Sequence, residues 1–165
     1  MKIPKNWITL TVISTIVAII VGGITIYQFL ATPNFEPEMC DIRELIEQEA
    51  SLVVDGRIDD VIDLFGEDAF VKDAAGGDTS LQVVWTGKNR IIERYIDLPD
   101  FVYLKHDAVE FQSVDNKCAE VTADTIGTCY VNGATEDISS NRGEKWTFQK
   151  INDEWKITGF TYNLP

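Results

Sequence analysis

Histidine is nearly missing from this chain: among 165 residues there is one, His106. A metal site built on two histidines is therefore excluded within a single copy. Cysteine is almost as scarce, at three residues. That is too few for a disulfide framework, and the spacing fits no zinc motif, so no metal site is expected. Cys118 and Cys129 lie in one extended run, about 36 Å apart at roughly 3.3 Å per residue, and face opposite sides of it. Cys40 has either as a partner with nothing to select one, so three free thiols are expected. Positive charge is short as well, with 14 Lys and Arg against 27 Asp and Glu, a net charge of −13. Lys2, Lys5 and Glu36 give +1 over residues 1–37, which leaves −14 on the rest. So acidic a remainder repels phosphate backbones, which argues against a nucleic-acid partner and favours plain solubility. There is no phosphate-binding glycine loop, nucleophile elbow, internal repeat, low-complexity tract, basic cluster or lipidation signal, and no cofactor is expected.

Charge of either sign is missing from Asn6 to Phe35. As a helix, residues 7–31 would span roughly 37 Å, enough to cross a bilayer with some tilt. Trp7 and Tyr27 sit near its ends, where amphipathic rings favour the headgroup layer. A cleaved signal peptide is the competing reading. The stretch is long for one, Gln28-Phe-Leu-Ala31 is a poor small-x-small site, and no lipobox precedes Cys40. Lys2 and Lys5 before the span and Glu36 and Glu38 after it place the N-terminus in the cytosol. The expected layout is a cytosolic tail at 1–6, a transmembrane helix at 7–31, a stiff linker at 32–37 and one extracytoplasmic domain at 38–165.

What the domain does contain is ordered helix first, sheet later. Met39, Ile42, Leu45, Ile46, Leu52 and Val53 recur at helical spacing over 38–54, with Glu44, Glu47 and Gln48 on the wet side, until Asp55-Gly56 ends the run. A shorter helix follows from Ile58 to Phe65. Short strands are expected at 69–73 and 81–85, then a third helix capped by Thr86, with Ile91, Ile92 and Tyr95 inward. Long strands at about 101–113 and 117–132 come next, the second with a face of small residues at Ala119, Val121, Ala123, Thr125 and Gly127. Such a face leaves room for a helix or a cavity. Thr135 to Asn141 reads as an exposed loop.

The last two strands meet at Asn152-Asp153, a pair suited to a two-residue hairpin turn. Folding there sets Lys150 opposite Trp155, Phe148 opposite Ile157 and Trp146 opposite Gly159. Trp146, Phe148, Trp155 and Ile157 then share the covered face, with Thr147, Gln149, Lys156 and Thr158 on the other. The fold class is α+β, an antiparallel sheet with three helices before its long strands.

In this order stand Asp55-Gly-Arg-Ile-Asp59, Leu64-Phe-Gly-Glu-Asp-Ala69, Trp85-Thr-Gly-Lys-Asn-Arg-Ile91, Leu104-Lys-His106, Cys118-Ala-Glu-Val121 and Trp155-Lys-Ile157. Together these segments resemble the nuclear transport factor 2-like superfamily, and within it the polyketide cyclase (SnoaL-like) branch. The resemblance covers about 38–165 and implies a cone, the curved sheet wrapping three helices around a pocket, with dimers through the open sheet face. It also implies a site: His106 matches a histidine common at this position in the branch, where a pocket histidine with an aspartate moves a proton; Asp73, ending the first short strand, is the candidate acid to pair with it. The alternative is a hydrogen-bonded histidine at the mouth of a cone without chemistry. Trp85, Tyr95, Tyr130 and Trp146 are candidates to line a pocket for a small apolar ligand, against a plain core role. Asp55, Asp59, Asp60 and Asp63 lack the pattern of a calcium loop and read as a solvated helix start. The leading function is a membrane-anchored, non-catalytic module that dimerises, docks a partner, or holds a small hydrophobic molecule. The alternative is an isomerase, cyclase or hydrolase using His106 and Asp73. Docking predicts exposed apolar residues on the sheet's outer side, at Ile126, Tyr130 or Phe160.

Overall fold

The computed structural model describes residues 35–75 and 82–164, with the backbone only at 141 and 142. The expected cytosolic tail, transmembrane helix and most of the linker lie outside the described residues, as does most of the loop after β1. Among the described residues no helix is long and apolar enough to cross a membrane.

Among the described residues, three helices come before the long strands. Helix α1 (Glu36–Val54) begins with Pro37 in its first turn, where a missing N–H costs nothing, and with Glu36 and Glu38 against the helix dipole. Its buried stripe runs Ile42, Ile46, Glu49, Ala50, Val53, and it lies along the long strand β3 (Asp100–Val114). Helix α2 (Ile58–Asp63) is two residues shorter than the apolar spacing predicts, because Phe65 is taken into a strand beside Ile157. Helix α3 (Lys88–Ile96) buries Ile91 and Tyr95. Thr86 does not cap it: Thr86 is the last residue of β2, paired with Phe70, and Gly87 takes the N-cap position at a φ of 80°.

Among the described residues one seven-stranded sheet receives these helices. With β1 (Phe65–Asp73), β2 (Val83–Thr86), β4 (Cys118–Val131), β6 (Ser140–Ile151) and β7 (Glu154–Tyr162), its order is β2-β1-β7-β6-β4-β3. A further strand, β5 (Ala134–Asp137), pairs with β4 in the stretch expected to be loop, after a turn at Asn132-Gly133 where both residues have positive φ. The sheet is antiparallel except at one join, where β1 runs parallel to β7. Register shifts in the β3–β4 pairing, one at Ala108 with a φ of 47°, bend the sheet around the helices, since each extra residue kinks its strand.

The hairpin forms at Asn152-Asp153, with φ of 51° and 64°, the conformation such a turn requires. Lys150 faces Trp155 and Phe148 faces Ile157 as the spacing predicts. A register shift between Thr147 and Phe148 then moves Gly159 opposite Thr147 and places Phe160, not Gly159, opposite Trp146. The shift rotates Phe160 inward. It is buried rather than on the outer face, and its ring stacks on Trp146 at 3.8 Å between centroids and 15° between planes. Trp146, Phe148, Trp155 and Ile157 are all buried, with Ala119, Val121 and Ala123 of β4 in the same core. At Gly127 the space left by a missing side chain is filled: a Cβ there would stand 2.9 Å from Ile138 Cγ1 and 3.2 Å from Leu104 Cδ1.

Candidate functional site

Three charged side chains from three elements converge inside the cone. Glu49 lies on the stripe that α1 turns inward, in phase with Ile42, Ile46 and Val53. His106 of β3 stands opposite Thr125 of β4, next to the small-residue face. Glu144 of β6 lies two residues before Trp146 and four before Phe148, on the same inward side. The exposures of Glu49, His106 and Glu144 are 2%, 4% and 2%.

The imidazole is held between the two carboxylates. His106 Nδ1 lies 2.6 Å from Glu144 Oε2, and Nε2 lies 3.0 Å from Glu49 Oε2. With an acceptor at both nitrogens, a doubly protonated ring satisfies both bonds. Burial works against that charge, but Glu144 and then Glu49 outweigh it, and the pKa of His106 rises from 6.5 to about 10. Neutral donors complete the cluster. Tyr95 Oη donates to Glu49 Oε1 at 2.6 Å, Thr125 Oγ1 to Glu144 Oε1 at 2.6 Å, and Trp146 Nε1 to Glu144 Oε2 at 3.3 Å. Burial and then Glu49 push the Tyr95 hydroxyl well above its ordinary range, so it stays a donor. Two carboxylates and one imidazolium leave one net negative charge in the interior, which these three donors help to offset. The Trp146 ring meets the imidazole edge-on at 5.1 Å.

Above the cluster is a cavity of about 230 Å³. Glu49, His106 and Glu144 form its charged part, Val71, Leu98, Phe101, Leu104 and Phe160 supply apolar wall, and Arg94, Tyr162 and Asn163 add polar groups. Arg94 Nε donates to Tyr162 Oη at 2.8 Å.

The residues singled out from sequence are distributed unevenly around this cavity. His106 and Tyr95 line it. Asp73 is not brought to His106. It ends β1 and accepts from Ala75 N and Asn163 Nδ2, both at 2.9 Å. Trp146 lies fully buried beneath the wall, stacked on Phe160. Trp85 is not among the lining residues and carries the Arg94 guanidinium over its ring at 5.4 Å. Tyr130 is on the opposite face of the sheet, 53% exposed, because Cys129 takes the inward position beside it. The three cysteines are free, Cys40 and Cys118 exposed and Cys129 buried. Among the described residues no group of His, Cys, Asp and Glu side chains is arranged to hold a metal ion.

Glu49 and Glu144 are the residues that reading by apolar pattern passes over. The signal was phase: Glu49 continues a helical apolar stripe, and Glu144 precedes Trp146 and Phe148 at the two-residue period of a strand.

No family model matches this chain, and no curated protein does. Solved structures do match, through their fold. An NTF2-like protein with a cystatin-like fold from Novosphingobium aromaticivorans is 15% identical, with 73% of this chain and 77% of that one covered at a TM-score of 0.58. The beta subunit of benzoate 1,2-dioxygenase from Burkholderia mallei is 19% identical, with 74% and 87% covered and a TM-score of 0.60. The CaMKII hub homology domain of Chlamydomonas reinhardtii is 12% identical, with 78% and 98% covered and a TM-score of 0.59. The fold is therefore the nuclear transport factor 2-like α+β cone. An enzyme subunit and an assembly hub share it, so function has to be argued from the site.

Proposed function

We propose that this chain is a small-molecule-binding module of the SnoaL-like kind, non-catalytic, and held at a membrane by residues 7–31 with its domain on the extracytoplasmic side. The observation that carries the reading is the apolar-walled cavity above a histidine whose two ring nitrogens are both engaged by carboxylates. A general base needs a free lone pair near neutral pH. His106, with a pKa of about 10 and an acceptor at each nitrogen, offers none. The cluster thus serves as a rigid, charged floor. At about 230 Å³ the cavity is smaller than the roughly 300–1,000 Å³ of drug-sized sites, so its occupant is a small molecule of fragment size. The competing reading, an isomerase, cyclase or hydrolase, would use Glu144 or Glu49 in place of Asp73 beside His106, and needs a ring free to exchange its proton.

The test is native mass spectrometry of the full chain released from phospholipid nanodiscs. An excess mass that disappears on denaturation, from a compound recovered unchanged after long incubation with fresh protein, is the expected result. Conversion of that compound in more than stoichiometric amount would overturn the non-catalytic reading. A second role is favoured by a separate observation. Tyr103, Ile126 and Tyr130 are exposed on the outer side of β3 and β4, a face suited to a second copy of the chain.

A further inference from the structure

We propose that Arg94 makes the cavity an acid-selective site whose ligand is a small apolar monocarboxylate. This rests on the reading of the cavity as a binding site and adds the chemical class of its occupant. The chain has 27 acidic side chains to 14 basic ones, so an arginine finds a carboxylate easily. Arg57 and Arg90 each pair with an acid three residues on. Arg94 lines the cavity, and among the described residues no carboxylate forms an ion pair with it. Asp73 acts on the same Tyr162 hydroxyl that Arg94 binds, but is not paired with the guanidinium.

What Arg94 has instead is orientation. Its Nε is engaged by Tyr162 Oη at 2.8 Å, and its guanidinium carbon lies 5.0 Å from the centre of the Tyr162 ring and 5.4 Å from that of Trp85. Aromatic contacts and one hydrogen bond fix the plane of the group. The terminal Nη atoms remain as donors in the fork geometry that matches a carboxylate. Holding an arginine in place before the ligand arrives lowers the ordering cost of binding.

The floor supplies the direction. Glu49 and Glu144 with His106 carry net negative charge, so an anionic head is repelled from the floor and attracted to Arg94. The body of the ligand then lies against Val71, Leu98, Phe101 and Phe160. The same charge disfavours a dicarboxylate, whose second head would face the floor.

Phenylbutyrate and its neutral isostere phenylbutyramide separate the terms. Titration calorimetry would use the full chain in nanodiscs, with wild type, Arg94→Gln and Arg94→Lys. In the wild type the acid is expected to bind at least about tenfold more tightly than the amide. Arg94→Gln should remove that preference, so that acid and amide bind alike, and Arg94→Lys should retain part of it. A thermal unfolding midpoint close to that of the wild type shows that the Gln variant is folded. Equal binding of acid and amide to the wild type would overturn the acid-selective site and leave the binding module standing. Tighter binding of the amide would overturn it by showing that the floor dominates. Binding of neither at millimolar concentration would overturn both.

Discussion

At His106 two opposing effects set the dependence of the fold on pH. Burial disfavours the imidazolium, and the carboxylates of Glu144 and Glu49 favour it more strongly, so the folded ring titrates near 10 against 6.5 in the unfolded chain. The unfolded chain therefore loses its proton first. Stability from this pairing is complete below about pH 6.5 and is lost as pH rises through 10. Urea unfolding of wild type and His106→Gln at pH 6.5, 8 and 10 measures it. Near neutral pH the variant should be less stable by about 3–5 kcal/mol, the cost of leaving buried carboxylates without their cation. The gap should narrow toward pH 10, whereas a constant gap would mean that the folded ring is neutral. The sequence offered half of this site. One histidine is easily noticed, and Tyr95 sat on an apolar helix face. Its acids were obscured by number, since an acidic residue in a chain with 27 of them draws attention only through its phase. Asp73 was close in pattern to an expected strand end, but the parallel pairing of β1 with β7 sets it opposite Tyr162, at the polar side of the cavity.

Among the elements, the closing hairpin was the most legible, because its turn chemistry and its alternation point to one register. Asn152 and Asp153 both hold positive φ, which short polar side chains tolerate and branched ones do not. Asp153→Val should cost about 1–2 kcal/mol. Asp153→Gly should be close to neutral, since glycine reaches the same conformation freely. Chemical denaturation of the pair checks this, and equal losses in both would point to a side-chain contact of Asp153 rather than its backbone. Less legible were features that depend on partners distant in sequence. The strand β5 has four exposed residues and no apolar pattern, and exists by pairing with β4. The register shift at Thr147 leaves no local signature, yet it decides that Phe160 joins the core. Phe65 fits a helical stripe equally well, and only Ile157 across the sheet claims it for a strand.

For the whole molecule, the outer face of β3 and β4 bears on association. Tyr103 faces Thr128, and Ile126 and Tyr130 flank that pair on the same side of β4, all three apolar residues exposed. If this face joins two copies, Ile126→Asp with Tyr130→Asp should shift a dimer to monomer in sedimentation velocity without changing far-UV circular dichroism. A dimer that survives the double change would exclude this face. The sheet order has another consequence, for the sequence of events during synthesis. β7 is the last of this sheet's strands to be made and the one inserted between β1 and β6. Until it arrives, β1 with β2 forms one fragment and β3 to β6 another, each with an unpaired strand edge toward the gap. The contacts that join them, such as Phe70 beside Gly159, span most of the domain, so closure is late and slow. A nascent copy stalled before Glu154 would present two adhesive edges and an unroofed core to its surroundings, which makes the final hairpin the step that a holding chaperone has to wait for.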